Sequence, residues 1–326
     1  MLCYSRHQAS DLPEKGKCLQ HKDLELIALL PVKKSNGDIV CKQLEEAAKI
    51  TGEPRAILSD KGSDINSGVN KYIEKHVLVS ALYDITHKVA CLLKKQLHKD
   101  ARWNEFIAFA NKMKKQLQQT SLAHLRPPNQ RSKARYMNTS PLVTWARRAL
   151  ILVTHAKQKN KEIKSKLGGI IEFKEDIIAW SEMIHVCDEV MNYMRTQYLE
   201  SNSKRKLEIH LKKKITELNT VMGKTIRKEL IKFVSEQQAE CYYPKEKLIA
   251  SSEVIESIFG KQKFIERDQS GNGFTGLILA IGAIVSTLND DIIKKAMTSV
   301  STKKVIEWCK DNIGKTVQAK RLNAFS

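Results

Sequence analysis

After Thr86 the chain offers no further strand. From Lys88 to about Ile249 apolar residues recur at helical spacing almost throughout. The pattern breaks only at Arg126-Pro127-Pro128, between Asn138 and Pro141, at Gly168-Gly169 and at Tyr243-Pro244. This block holds 33 basic and 16 acidic residues, and within it residues 101–170 hold 15 basic and 2 acidic. Such a stretch predicts an all-helical, strongly basic domain set after a small α/β core. The surplus marks the whole chain, with 56 Lys and Arg against 36 Asp and Glu, a formal charge of +20 and a pI near 9.6. A surface of this kind draws polyanions, nucleic acid first and an anionic membrane surface second.

Apolar residues make up 42% of the 326, enough to bury a core in one large domain or two ordinary ones. That excludes a disordered or membrane-embedded chain. The most apolar stretch, Phe274 to Leu288, is too short and too interrupted by glycine to span a bilayer. Seven cysteines (Cys3, Cys18, Cys41, Cys91, Cys187, Cys241, Cys309) stand singly, so neither a zinc site nor a disulfide framework is indicated. With no signal-like segment in view, the expected setting is a reducing cytoplasm with free thiols.

Ahead of the helical block, strand and helix signals alternate. Residues 1–22 show no periodicity and read as an irregular lead-in. Leu24, Leu26, Ala28 and Leu30 alternate as in a strand, and Asp38 is placed to cap a helix that Gly52 ends. Residues 55–60 form a short apolar run ending in Asp60, a helix follows over 66–75, and the apolar run 77–83 ends at Asp84. The expected fold is therefore α/β plus α: core residues 23–87, a helical insertion over 88–249, and C-terminal helices over 250–326.

Three constellations carry possible chemistry. In Ile57-Leu-Ser-Asp60-Lys-Gly62-Ser-Asp64 a carboxylate is held at a strand end, where a hard cation could bind. Ser-Asp-x-Gly is equally an ordinary turn and helix cap. In Tyr83-Asp84-Ile-Thr-His87 an acid and a histidine share the first turn of a helix, which also fits a capping aspartate with a bystander histidine. In Ser251-Ser252-Glu253-Val-Ile-Glu256-Ser-Ile-Phe259-Gly260-Lys261-Gln-Lys263, Glu253 suits a first turn. Glu256 lies near the apolar face, where a carboxylate wants a cation or a donor, though a solvated helical glutamate fits too.

Taken in this order, the three resemble the RNase H-like DDE transposases of the group that includes hAT, Mutator-like and related bacterial insertion-sequence enzymes. In that group the second catalytic Asp ends a strand, as Asp60 does in ILSDKGSD. A Cys-or-Asp-x-x-His signature follows the next strand, as in YDITH, and a helical insertion precedes a helix bearing the catalytic Glu. That helix reads Ser-Glu-Arg-x-Phe-Ser in hAT enzymes, to which the segment from Ile255 to Gly260 is similar. HKDLELIAL, ITHKVACLLK, LRPPNQRSKARYMN, SSEVIESIFGKQK and AKRLNAF look like blocks of one bacterial transposase set, so the resemblance covers roughly residues 20–326.

The resemblance implies a partial RNase H-like sheet, interrupted by the large basic helical insertion and closed by a C-terminal catalytic-type helix. In the family, three carboxylates hold two Mg²⁺ or Mn²⁺ ions for cleavage and transfer of DNA strands. Asp60 and Glu256 would be the metal-binding catalytic acids, with Asp84 and His87 as second-shell or positioning residues. Lys112, Lys114, Lys115, Arg131, Lys133, Arg135, Arg147, Arg148, Lys261 and Lys263 would bind DNA at the transposon ends and target, where a homo-oligomer would assemble. Trp103, Trp145 or Trp180 would stack on a base, although helical spacing suits a core as well. The family's first catalytic Asp sits two strands ahead of residues 24–30. Asp11 and Asp23 are the candidates here, and neither follows an apolar strand. The expectation is a truncated, inactive transposase copy without that acid; the alternative is a non-catalytic DNA- or RNA-binding helical protein.

Overall fold

The computed structural model describes residues 2–6, 12, 16–32, 34–130, 136, 139–155, 161–266, 276–285, 289–314 and 317–325. It is mostly helical, with four short strands in two separate pairs. The chain divides into two compact units, Met1–Leu82 with Ser251–Ser326, and Tyr83–Ala250.

The first unit opens with a strand where an irregular lead-in was expected. β1 (Leu2–Arg6) pairs antiparallel with β2 (Glu25–Leu30), with a register irregularity between Tyr4 and Ser5. Five residues reading Leu-Cys-Tyr-Ser-Arg carry no alternation, so pairing with β2 and not periodicity makes them a strand. α1 (Gly37–Thr51) is capped by Asn36, whose Oδ1 accepts the Ile39 N–H at 2.9 Å. Asp38, the expected cap, instead lies in the first turn and accepts a 2.6 Å bond from Lys71. Gly52 ends the helix at φ 81°, a conformation open to glycine.

β3 (Ala56–Ser59), α2 (Ser63–Ile73) and β4 (Ser80–Tyr83) follow, and β3 and β4 form a small parallel pair. β4 is shorter than the run 77–83, because Val77 and Leu78 lie exposed ahead of it. α1 and α2 share a core of Val40, Cys41, Leu44, Val69 and Tyr72, closed by Val79. Their approach is close enough that a methyl group on Gly68 would collide with Val40 and come within 2.8 Å of the Gly37 carbonyl oxygen. At the far end of α2, His76 stacks on Tyr72 at 4.1 Å and presents Nδ1 to Glu53 at 2.6 Å and Nε2 to Glu45 at 3.3 Å. Only an imidazolium can donate at both nitrogens, and the Glu53 bond foremost raises this side chain above its ordinary pKa.

The second unit holds α3 (Ile85–Leu97), α4 (Ala101–Leu117), α5 (Thr139–His155), α6 (Lys161–Leu167), α7 (Lys174–Gln197), α8 (Ser203–Lys214) and α9 (Val221–Gln238). α7 packs against α5, α8 and α9. Asp84, Asp100 and Thr220 cap α3, α4 and α9 through bonds from the amides of His87, Trp103 and Gly223. Glu182 on α7 accepts from the Asn219 and Thr220 amides and from the Thr220 hydroxyl, at 2.7–3.1 Å. Burial opposes its ionisation, yet these donors hold it below the usual carboxylate range. The unit's two ends lie side by side, with the Ile85 N–H on the Ala250 carbonyl at 3.0 Å, while Leu199 and Leu248 exchange two backbone bonds.

The chain then returns to the first unit as α10 (Glu253–Glu266), α11 (Ala280–Val285), α12 (Asp290–Ser299), α13 (Thr302–Asn312) and α14 (Val317–Phe325). Ile258 of α10, with Ile278, Ile281 and Val285, packs on Leu24, Leu26 and Leu29. Among the described residues, no helix is long and apolar enough to cross a membrane.

Two stability predictions follow from this packing. Gly68→Ala overfills the α1–α2 contact and is expected to cost about 1–3 kcal/mol in chemical denaturation; an unchanged midpoint would mean that the helices part freely. Gln262 of α10 is 1% exposed, with neither end of its amide hydrogen-bonded. Gln262→Met should therefore raise stability by about 1–2 kcal/mol in the same assay, since unsatisfied buried polar groups are costly.

Candidate functional site

Asp60 follows β3 directly and is exposed. Its Oδ1 accepts the Gly62 N–H at 2.9 Å, while the Ser59 hydroxyl accepts the Lys61 N–H at 3.3 Å. Lys61 takes a left-handed φ of 52° to complete the turn into α2. The turn that Ser-Asp-x-Gly allows is thus formed, and the carboxylate closes it. A Cβ on Gly62 would stand 3.3 Å from Asp60 Oδ1 and 3.7 Å from Asp64 Oδ1, so two carboxylates flank that glycine. A hydrogen bond from the Ser35 hydroxyl is foremost in holding Asp64 below the usual carboxylate range.

Glu256 lies half-buried in the first turn of α10, where the Ser251 hydroxyl accepts the Glu253 N–H at 3.3 Å. On the same helix Ser257, Gly260, Lys261, Phe264 and Ile265, with Ile284 of α11, line an open cleft of about 500 Å³. Two of these residues, Ser257 and Lys261, contact a group that sequence reasoning missed. His21 Nδ1 stands 3.0 Å from Lys261 Nζ, and its Nε2 stands 3.2 Å from the Ser257 hydroxyl. An ammonium can only donate, so Nδ1 is the acceptor and the ring proton sits on Nε2, pointing at Ser257. Burial first, and the Lys261 charge second, lower the His21 pKa. No periodic signal flags a histidine in a short irregular turn, and only the tertiary contact reveals it.

Asp60 and Glu256 belong to one compact unit, whereas Asp84 and His87 belong to the helical one. Asp84 is fully buried and accepts the His87 N–H at 2.8 Å, which is a cap in the plain sense. Among the described residues, no group of three or more His, Cys, Asp or Glu side chains could hold a metal ion.

Lys112 and Lys115 are exposed on α4 and Lys114 is half-buried there; Arg147 and Arg148 are exposed on α5, and Lys261 and Lys263 on α10. Arg131, Lys133, Arg135 and Asp11 lie outside the described residues. Trp103 and Trp180 are not placed for stacking on a base. Trp103 and Trp180 are buried and meet edge to face at 4.8 Å, and Phe106 packs beside both. Trp145 is half-buried and donates its indole N–H to the Leu125 carbonyl at 2.9 Å. The burial of Trp103 and Trp180 makes them core, because helical spacing turned them inward.

No protein-family model, curated protein or solved structure matches the chain.

The lowered pKa of His21 has a definite sign in stability. Its neutral form is favoured by folding, so its contribution is present above the unfolded value and is lost as pH falls through the folded one. Protonation would turn Nδ1 into a donor facing an ammonium. By NMR titration, Lys261→Met is expected to shift the His21 midpoint upward but leave it below the ordinary value, since burial remains. A midpoint that does not move would mean the Lys261 contact is absent in solution.

Proposed function

We propose that this chain is a DDE-type transposase by descent that binds duplex DNA through its basic helical unit. The observation that carries this reading is how the chain is divided. Residues 83–250 form a compact unit whose ends meet at Ile85 and Ala250, after which the chain resumes the unit that it had left. Strand-end Asp60 and helical Glu256 are thereby members of one unit, although the whole insertion separates them in sequence. A basic helical domain inserted between the second and third acids is what the resemblance implies. The parallel β3–β4 pair, with α2 between its strands, supports the same reading.

In this chemistry Mg²⁺ or Mn²⁺, once bound, would activate a hydroxyl and stabilise a leaving oxygen. Asp60 and Glu256 would contribute two of the three carboxylates, and no third is proposed from the described residues. The expected behaviour is binding without cleavage, on DNA and as an oligomer there. One observation favours the second reading, a non-catalytic DNA- or RNA-binding helical protein: the Asp60 carboxylate is engaged by its own turn.

The test uses the full chain with a supercoiled plasmid carrying candidate element ends, in Mg²⁺ or Mn²⁺, beside Asp60→Asn and Glu256→Gln. Retarded plasmid without nicking is the expected result. Nicking that both substitutions abolish would reveal a complete enzyme and overturn the missing-acid argument. Failure to bind duplex DNA even at low salt would remove the transposase reading itself.

A further inference from the structure

We propose that the outward face of α8, built on Arg205, Lys212 and Lys213, is a docking surface for the phosphate backbone of duplex DNA; this rests on the reading above that the partner is DNA. α8 is seated by Ser203, Leu207 and Leu211, buried at four-residue spacing, and it packs on α7 and α9. At about 100° per residue, Arg205, Ile209, Lys212 and Lys213 fall on the opposite arc, and all four are exposed.

The neighbouring cations have been given partners. Lys206 is paired with Glu200, and His210 with Glu189 at 2.9 Å. On the outward arc the pattern is different. Among the described residues, Arg205, Lys212 and Lys213 have no acid within ion-pair distance. The unit as a whole has few acids to spare, with 16 against 33 basic residues over 88–249.

Helix electrostatics separates a local role from a docking role. Lys212, Lys213 and Lys214 occupy the last turn, where the helix dipole welcomes a cation. Lys204, Arg205 and Lys206 occupy the first turn, where no acid is present and the dipole opposes positive charge. Only Lys206 is neutralised there. Local stability therefore accounts for the C-terminal lysines but not for Arg205, and an external anion accounts for both ends. Arg205 and Lys212 are about 10 Å apart along the axis. Duplex DNA carries a negative charge about every 1.7 Å of its length, so several phosphates face such a stretch at once.

The test compares the full chain with the triple variant Arg205→Gln, Lys212→Gln, Lys213→Gln. Binding to a short fluorescent duplex of arbitrary sequence is followed by anisotropy across a range of NaCl concentrations. The slope of log affinity against log salt should fall by about two to three, since each phosphate contact contributes about 0.9. The charge-keeping variant Arg205→Lys, Lys212→Arg, Lys213→Arg should retain the parental slope. A triple variant with the parental slope, beside a Lys112, Lys115, Arg147, Arg148 to Gln variant that loses it, would overturn this surface and leave the DNA reading standing. No duplex binding by the parent, or a charge-dependent slope with single-stranded RNA alone, would overturn both.

Discussion

The part of the molecule that carries Asp60 depends on how closely α1 and α2 can approach. Gly37 and Gly68 remove the side chains at the crossing, and Val40, Leu44, Val69 and Tyr72 then fill the layer beside it. A two-stranded parallel pair has little stability of its own, so β3 and β4 lean on this helix pair. Because α2 begins at the Asp60–Gly62 turn, the helix crossing also sets where the strand-end carboxylate stands. The His76 clamp closes the opposite end, joining α1, the loop before β3 and the end of α2.

The helical unit is held together by another kind of contact. α3, α4 and α9 begin on side-chain caps, and Glu182 anchors the start of α9 by accepting from several donors at once. Arg102 shows how its few acids are used: it is bonded to Asp176 and Glu105 and lies over the Phe173 ring at 4.6 Å. Arg147, Arg148, Arg205, Lys212 and Lys213 are among the cations exposed to solvent, where mutual repulsion works against compactness and any bound polyanion would relieve it.

Local periodicity made much of the first unit readable. Alternation marks β2, a terminal glycine marks the end of α1, and short apolar runs ending in an acid mark β3 and β4. β1 was not readable, because a five-residue strand is defined by its partner and its own pattern is too short. The cap of α1 moved from Asp38 to Asn36 because either residue satisfies the capping rule and only backbone geometry chooses between them. At the candidate site, the turn at Asp60 and the cap at Asp84 are local and were foreseeable. His21 and His76 were not, since each draws its partners from distant segments.

The aromatic core of the helical unit has an optical consequence. Three of the four tryptophans, Trp103, Trp145 and Trp180, fall within residues 83–250, and the fourth, Trp308, lies on α13. Residues 1–83, which hold Asp60 and both strand pairs, contain no indole. Emission and near-ultraviolet dichroism will therefore be governed by the helical unit, through the edge-to-face pair of Trp103 and Trp180. A melt followed by tryptophan emission would weight the helical unit's collapse, and the first unit would report only through Trp308, since its α1–α2 layer carries no indole.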